Sequence, residues 1–71
     1  MEKFKIETDY IKLDQFLKWI GLAESGVMAK ELILAERVMV NGEVETRRGK
    51  KLYKNDTVSF AGVDYIIQNE D

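Results

Sequence analysis

The sequence predicts an α+β fold, two short packed helices followed by small antiparallel strands and hairpins, in a single domain covering residues 1–71. Three observations predict it. Apolar spacing changes from a period of two to a period of three and four near Lys12, which separates a strand from a helix. Ser25 stands immediately before a second helical run, where a hydroxyl serves free backbone amides. Asn41-Gly42 then sits between alternating apolar residues, a strong local signal for a hairpin. A chain of 71 residues has room for one domain only, and it buries roughly 60% of the surface its unfolded form exposes, so the core must be small.

Phe4, Ile6 and Thr8 alternate with Lys3, Lys5 and Glu7, as in a half-buried strand. Leu13, Phe16, Leu17 and Ile20 follow at i, i+3, i+4 and i+7, the stripe of a short amphipathic helix. Asp14 in its first turn suits the helix dipole, and Gly21 provides a stop. Trp19 lies off this stripe, which leaves two readings open, a flank of the core or an exposed anchor. The second helix runs from about 26 to 36, with Val27 or Met28, Ala29, Leu32, Ile33 and Ala35 as its buried stripe. Lys30 and Arg37, seven apart, share a face on that reading. Val38 to Glu45 form the hairpin, Asn55-Asp56 a turn, and Thr57–Phe60 with Val63–Ile67 a closing hairpin around Ala61-Gly62. The acidic end, Glu70-Asp71, is expected to fray.

Composition removes several function classes. Without cysteine there is no disulfide and no thiolate, and without histidine ordinary zinc sites and imidazole catalysis are absent too. The carboxylates are scattered, and no motif pairs them for acid–base work, so no enzyme, no cofactor and no small-molecule substrate are expected. The charged start, Met-Glu-Lys-Phe-Lys-Ile-Glu, does not resemble a signal peptide, and no stretch approaches the ~18 consecutive apolar residues that cross a membrane. A cytoplasmic monomer, with no membrane partner, is the expectation.

Charge distribution is the most informative feature. Residues 46 to 54, Thr-Arg-Arg-Gly-Lys-Lys-Leu-Tyr-Lys, carry five cations and no acid in a chain of net charge −2, which leaves the other 62 residues at −7. An acidic body repels polyanions except where the cations sit, so binding would be confined to one face.

Taken in order, Leu13-Asp14-Gln15-Phe16-Leu17-Lys18, Gly21-Leu22, Glu24-Ser25, Ala29-Lys30, Leu32-Ile33, Val38-Met39-Val40-Asn41-Gly42, Gly49-Lys50-Lys51-Leu52 and Asn55-Asp56-Thr57-Val58 form a specific set. Over about residues 11 to 60 they resemble the RNA-binding domain of the ribosomal protein S-four type, and most of all its small stand-alone members of the YaaA and YbcJ kind. Three positions depart from the family pattern. Gly26 replaces an arginine that is an RNA contact in the larger family, so no contact is carried over there. Glu36 takes the place of the glycine that closes the second helix, and Asn55 that of the glycine in a Gly-Asp turn. These 71 residues leave no room for the pseudouridine synthase or tyrosyl-tRNA synthetase domains that often accompany this module.

The resemblance implies that the helices and the loop present one basic surface to structured RNA, ribosomal or transfer RNA, with a possible place on the ribosome. Arginine forks pair phosphate oxygens and lysines supply mobile charge. A-form duplexes hide their bases in a deep groove, so recognition would be by backbone shape. The candidate RNA-binding residues are Arg47, Arg48, Lys50 and Lys51 first, then Lys30 and Arg37, with Lys18 and Lys54 after them. Tyr53 reads as a strand residue packing on its neighbours, and Lys3 and Lys5 as a solvated strand face. Two rival functions compete. One is a protein-interaction adaptor using Trp19 and the acidic remainder. The other, a β-grasp sulfur carrier, requires a terminal Gly-Gly where this chain has Gln68-Asn69-Glu70-Asp71.

Overall fold

The computed structural model describes residues 1–69; the expected fraying of Glu70 and Asp71 lies outside that range. Strand β1 (Glu2–Ile6) leads through a bend to β2 (Ile11–Lys12), helix α1 (Leu13–Trp19) and helix α2 (Gly26–Leu34). There follow β3 (Val38–Val40), β4 (Glu43–Val44), β5 (Lys51–Leu52), β6 (Thr57–Phe60) and β7 (Val63–Asn69). Five strands form one sheet in the order β1-β7-β6-β3-β4, and β2 pairs with β5 in a separate two-stranded ladder. This is the α+β fold expected, with one addition. β1 runs parallel to β7, with Phe4 opposite Ile67, so the sheet is mixed and the two ends of the chain lie side by side.

The core is built from one face of every element except β4, whose two residues are exposed. Leu13, Phe16 and Leu17 of α1 meet Ala29 and Ile33 of α2 and, from the strands, Ile6, Val38, Val40, Leu52, Val58 and Ile67. Phe16 sits at its centre, with the rings of Phe4 and Tyr65 presented edge-on at 5.0 and 5.6 Å between centroids. On α2 the buried face is narrower than the spacing suggested. Ala29 and Ile33 are buried and Leu32 is partly so, whereas Val27, Met28 and Ala35 are exposed. A helix of nine residues makes only two and a half turns, enough for one i, i+4 pair to reach the core.

Both helices close through a left-handed residue. The Gly21 amide donates to the Lys18 carbonyl and the Leu22 amide to that of Leu17, with Gly21 at φ 82°. In α2 the same pair of bonds runs from Glu36 to Ile33 and from Arg37 to Leu32, with Glu36 at φ 60°. The helix therefore ends at Leu34, short of the expected residue 36, because Glu36 has already turned out of right-handed geometry. At its start, Ser25 Oγ accepts from the Met28 amide at 3.2 Å, the cap expected of it. Both hairpins turn on residues of positive φ, Asn41-Gly42 (51° and 85°) and Ala61-Gly62 (51° and 82°).

Candidate nucleic-acid interface

The basic segment is not a free loop. Leu52 in its middle is fully buried, and Lys51–Leu52 form β5, paired with β2 so that Lys12 lies opposite Lys51 and Ile11 opposite Leu52. Before β5 the chain makes a tight turn, closed by the Lys50 amide donating to the Arg47 carbonyl at 3.1 Å. That turn caps α1. The carbonyls of Lys50 and Arg48 accept from the amides of Leu13 and Asp14 at 2.8 and 3.1 Å, while Lys12 at the cap position offers no side-chain bond. Amides that would otherwise be orphaned at the helix start hold the turn by its backbone, so its side chains are free to face outward. Arg47, Arg48 and Lys51 are exposed and Lys50 is partly so.

Two features alter the charge of this surface. Arg47 folds back on Glu45, its Nε donating to Oε2 at 3.0 Å and its Nη2 to Oε1 at 3.2 Å; the Arg47 amide also donates to Oε2 at 3.0 Å. The hydrogen bond from the Arg47 side chain, with its backbone bond and the charges of Arg47 and Lys50, lowers the Glu45 pKa from the ordinary 4.5 to about 2, against an opposing push from partial burial. The same bond raises the pKa of Arg47. Of the four first-rank cations, Arg47 is thus already partnered. Lys12, which the sequence reading passed over, replaces it on the surface by facing Lys51 across the ladder.

Aromatic rings join the cations. Lys51 Nζ lies 4.8 Å from the centre of the Tyr10 ring, and Tyr10 and Tyr53 are 5.9 Å apart. Tyr53 packs on a neighbour, as expected, although from just beyond β5 and about half exposed. Lys54 occupies the exposed turn after β5, and Lys18 the exposed last turn of α1, at the end of that helix away from the basic turn.

Lys30 and Arg37 do not form the expected pair. Lys30 is on the exposed side of α2, while Arg37 lies beyond the helix end, with its guanidinium 5.9 Å from the centre of the Phe60 ring. The left-handed step at Glu36 breaks the seven-residue relationship that would have aligned them. Two signals in the sequence bear on what was missed. Glu45 and Arg47 are two apart in extended chain, which puts both side chains on one face. Lys12 sits two residues after Tyr10, but a two-residue strand carries no readable alternation.

Two helices over a mixed sheet, with a cationic turn locked to the start of the first helix, define a small module built to present one charged surface. The chain belongs to the S4 domain family, whose pattern residues 4–68 match. It is 46% identical over 57 residues to RlbA of Bacillus subtilis strain 168, provisionally named a ribosome maturation protein, covering 80% of each chain. It is 45% identical over 53 residues to YbcJ of Escherichia coli strain K12, provisionally named an RNA-binding protein, covering 75% of this chain and 76% of that one. The solution structure of E. coli YbcJ superposes with a TM-score of 0.70 at 38% identity, over 96% of this chain and 87% of that one; it was described as revealing an αL motif involved in RNA binding.

Proposed function

We propose that this chain is a non-catalytic protein that binds structured RNA by backbone charge and shape, acting as a monomer in the cytoplasm, with ribosomal RNA the first candidate and transfer RNA the second. The observation that carries the reading is the anchored basic turn. Arg48, Lys50 and Lys51, with Lys12 beside them, sit on backbone fixed by α1 in a chain otherwise acidic. A fixed cationic surface of this size meets a run of phosphates without first losing loop entropy. The names of the relatives support the same reading, RNA binding for YbcJ and ribosome maturation for RlbA. The test is a titration of a fluorescent RNA hairpin, and of B-form DNA of equal length, over a range of salt. With about four to six phosphates contacted, log affinity should fall against log salt with a slope of about −3 to −5 for RNA. A flat response, or equal affinity for DNA, rules the reading out.

A further inference from the structure

A half-open groove of about 560 Å³ separates the end of β1 and the bend after it from α1. Tyr10 and Trp19 both line it, with Lys5, Lys12 and Gln15 among its other residues and Glu7 as its one acid. Trp19 is 73% exposed, the most exposed large apolar side chain of this small domain. A groove of this size falls within the ~300–1,000 Å³ range of small-ligand sites. Its wall is held in place rather than loose. Thr8 Oγ1 donates to the Tyr10 carbonyl at 2.8 Å, and Asn69 Nδ2 donates to the Thr8 carbonyl at 2.8 Å, tying the bend to β7.

The groove is continuous with the basic turn. Lys12 on its rim faces Lys51 across the β2–β5 ladder, and Lys51 in turn covers the Tyr10 ring. Aromatic faces beside a row of cations match an unpaired nucleotide, which offers a base to stack and a phosphate on either side. A continuous duplex has no base to offer, because its bases are stacked inside. Gln15 also lines the groove and brings one donor and one acceptor group to it.

We propose that this groove takes an unpaired nucleotide of the bound RNA, stacked on Trp19 and Tyr10 with its phosphates at Lys12 and Lys51, so that the protein recognises a duplex next to a bulge or single-stranded end. The inference rests on the RNA-binding reading above. The basic turn grips the duplex, and the groove selects the place where the duplex is interrupted.

The experiment compares a blunt-ended two-strand RNA duplex with the same duplex carrying a three-nucleotide single-stranded extension, using wild type, Trp19→Ala and Trp19→Phe. The extended RNA should bind at least about fivefold more tightly, the lower end of one base–aromatic stack. As the chain has a single tryptophan, its emission reports Trp19 alone, and the extended RNA should quench it. Trp19→Ala should remove the preference while leaving blunt-duplex affinity unchanged, and Trp19→Phe should keep most of it. Arg48→Gln with Lys50→Gln should weaken both RNAs by the same factor. Equal affinity for the two duplexes, or a preference that survives Trp19→Ala, overturns the groove while leaving the RNA reading intact. Unchanged emission at saturating extended RNA also overturns it and leaves this face to a protein partner. Failure of both duplexes to bind overturns the groove and the RNA reading together.

Discussion

Asn41 and Asp56, fifteen residues apart, are joined side chain to side chain, Asn41 Nδ2 donating to Asp56 Oδ1 at 3.1 Å. The bond locks the β3–β4 turn to the turn that follows the basic segment. Asn41 Oδ1 accepts from the Thr57 amide at 2.9 Å and from its hydroxyl at 3.2 Å, and Asp56 Oδ2 accepts from the Tyr53 amide at 2.7 Å. The end of β5, and with it the C-terminal side of the cationic surface, is thereby fixed to the sheet.

Replacing Asn41 separates its two roles. Asn41→Gly keeps the left-handed backbone (φ 51°) but loses the side-chain bonds, each worth about 0.5–1.5 kcal/mol. Asn41→Ala loses the bonds and adds a strain of about 1 kcal/mol, so it should be the less stable of the two in urea melts. Asn41→Asp keeps the acceptor for Thr57 but sets a second carboxylate against Asp56. Its deficit relative to wild type should be larger at low salt than at high salt, because screening weakens the repulsion between the two carboxylates. A salt-independent deficit would show that carboxylate repulsion contributes nothing and that only the lost Nδ2 bond to Asp56 counts.

Glu45 sets the charge that the basic turn shows to a ligand. Its folded-state pKa of about 2 lies below the ordinary 4.5, so the pair with Arg47 stabilises the fold above about pH 4.5 and loses that contribution as pH falls from there toward 2. The effect is small, since Arg47 is exposed to water. Glu45→Gln should cost no more than about 1 kcal/mol, the upper range for exposed pairs, and should flatten acid unfolding in that window. It also releases a guanidinium beside Arg48 and Lys50. RNA affinity should therefore rise, with the log–log salt slope steeper by about one. Weaker RNA binding by a folded Glu45→Gln would mean that the ion pair orders the turn rather than masking it.

How much of this was legible in the sequence depends on range. The α1 stripe of Leu13, Phe16 and Leu17, the Ser25 cap and the Asn41-Gly42 hairpin were readable because each is fixed within a few residues. The parallel pairing of β1 with β7 was not, since alternation identifies a strand and not its partner, and these two lie at opposite ends of the chain. Within the site, the cluster Arg47, Arg48, Lys50 and Lys51 was visible as local composition. Its anchoring to α1 and the entry of Lys12 and Tyr10 depend on contacts between distant segments, made through backbone groups, a two-residue ladder and ring packing that leave no local pattern, whereas the Glu45 clasp joins residues only two apart.

Glu36 offers a test of folding separate from binding. It is held at φ 60° in the closing step of α2. Glu36→Gly removes the strain of a side chain in left-handed backbone but increases the entropy lost on folding, so it should be neutral or stabilise by up to about 1 kcal/mol. Urea melts of the two proteins decide the matter. A clear loss of stability would mean that the Glu36 side chain makes a compensating contact.

The last prediction isolates the basic turn. Arg47→Gln, Arg48→Gln, Lys50→Gln and Lys51→Gln together remove four cations, while the bonds of the Lys50 and Arg48 carbonyls to the Leu13 and Asp14 amides remain. Changes at such surface positions alter stability by no more than about 0.5 kcal/mol each, so the fold should persist by circular dichroism. RNA affinity should fall by at least about tenfold, with a shallower salt slope, because contacted phosphates lose their partners. The control must be a cation away from this surface. Lys3 qualifies, being exposed on β1 and absent from the groove, whereas Lys5 lines the groove and does not. If net charge alone drives binding, Lys3→Gln should produce about a quarter of the quadruple variant's change in log affinity. If the turn is a site, Lys3→Gln should produce almost none, and Lys12→Gln, across the ladder from Lys51, should weaken binding like a member of the cluster. A per-charge loss from Lys3→Gln equal to that of the turn would reduce the segment to a solvated charged surface.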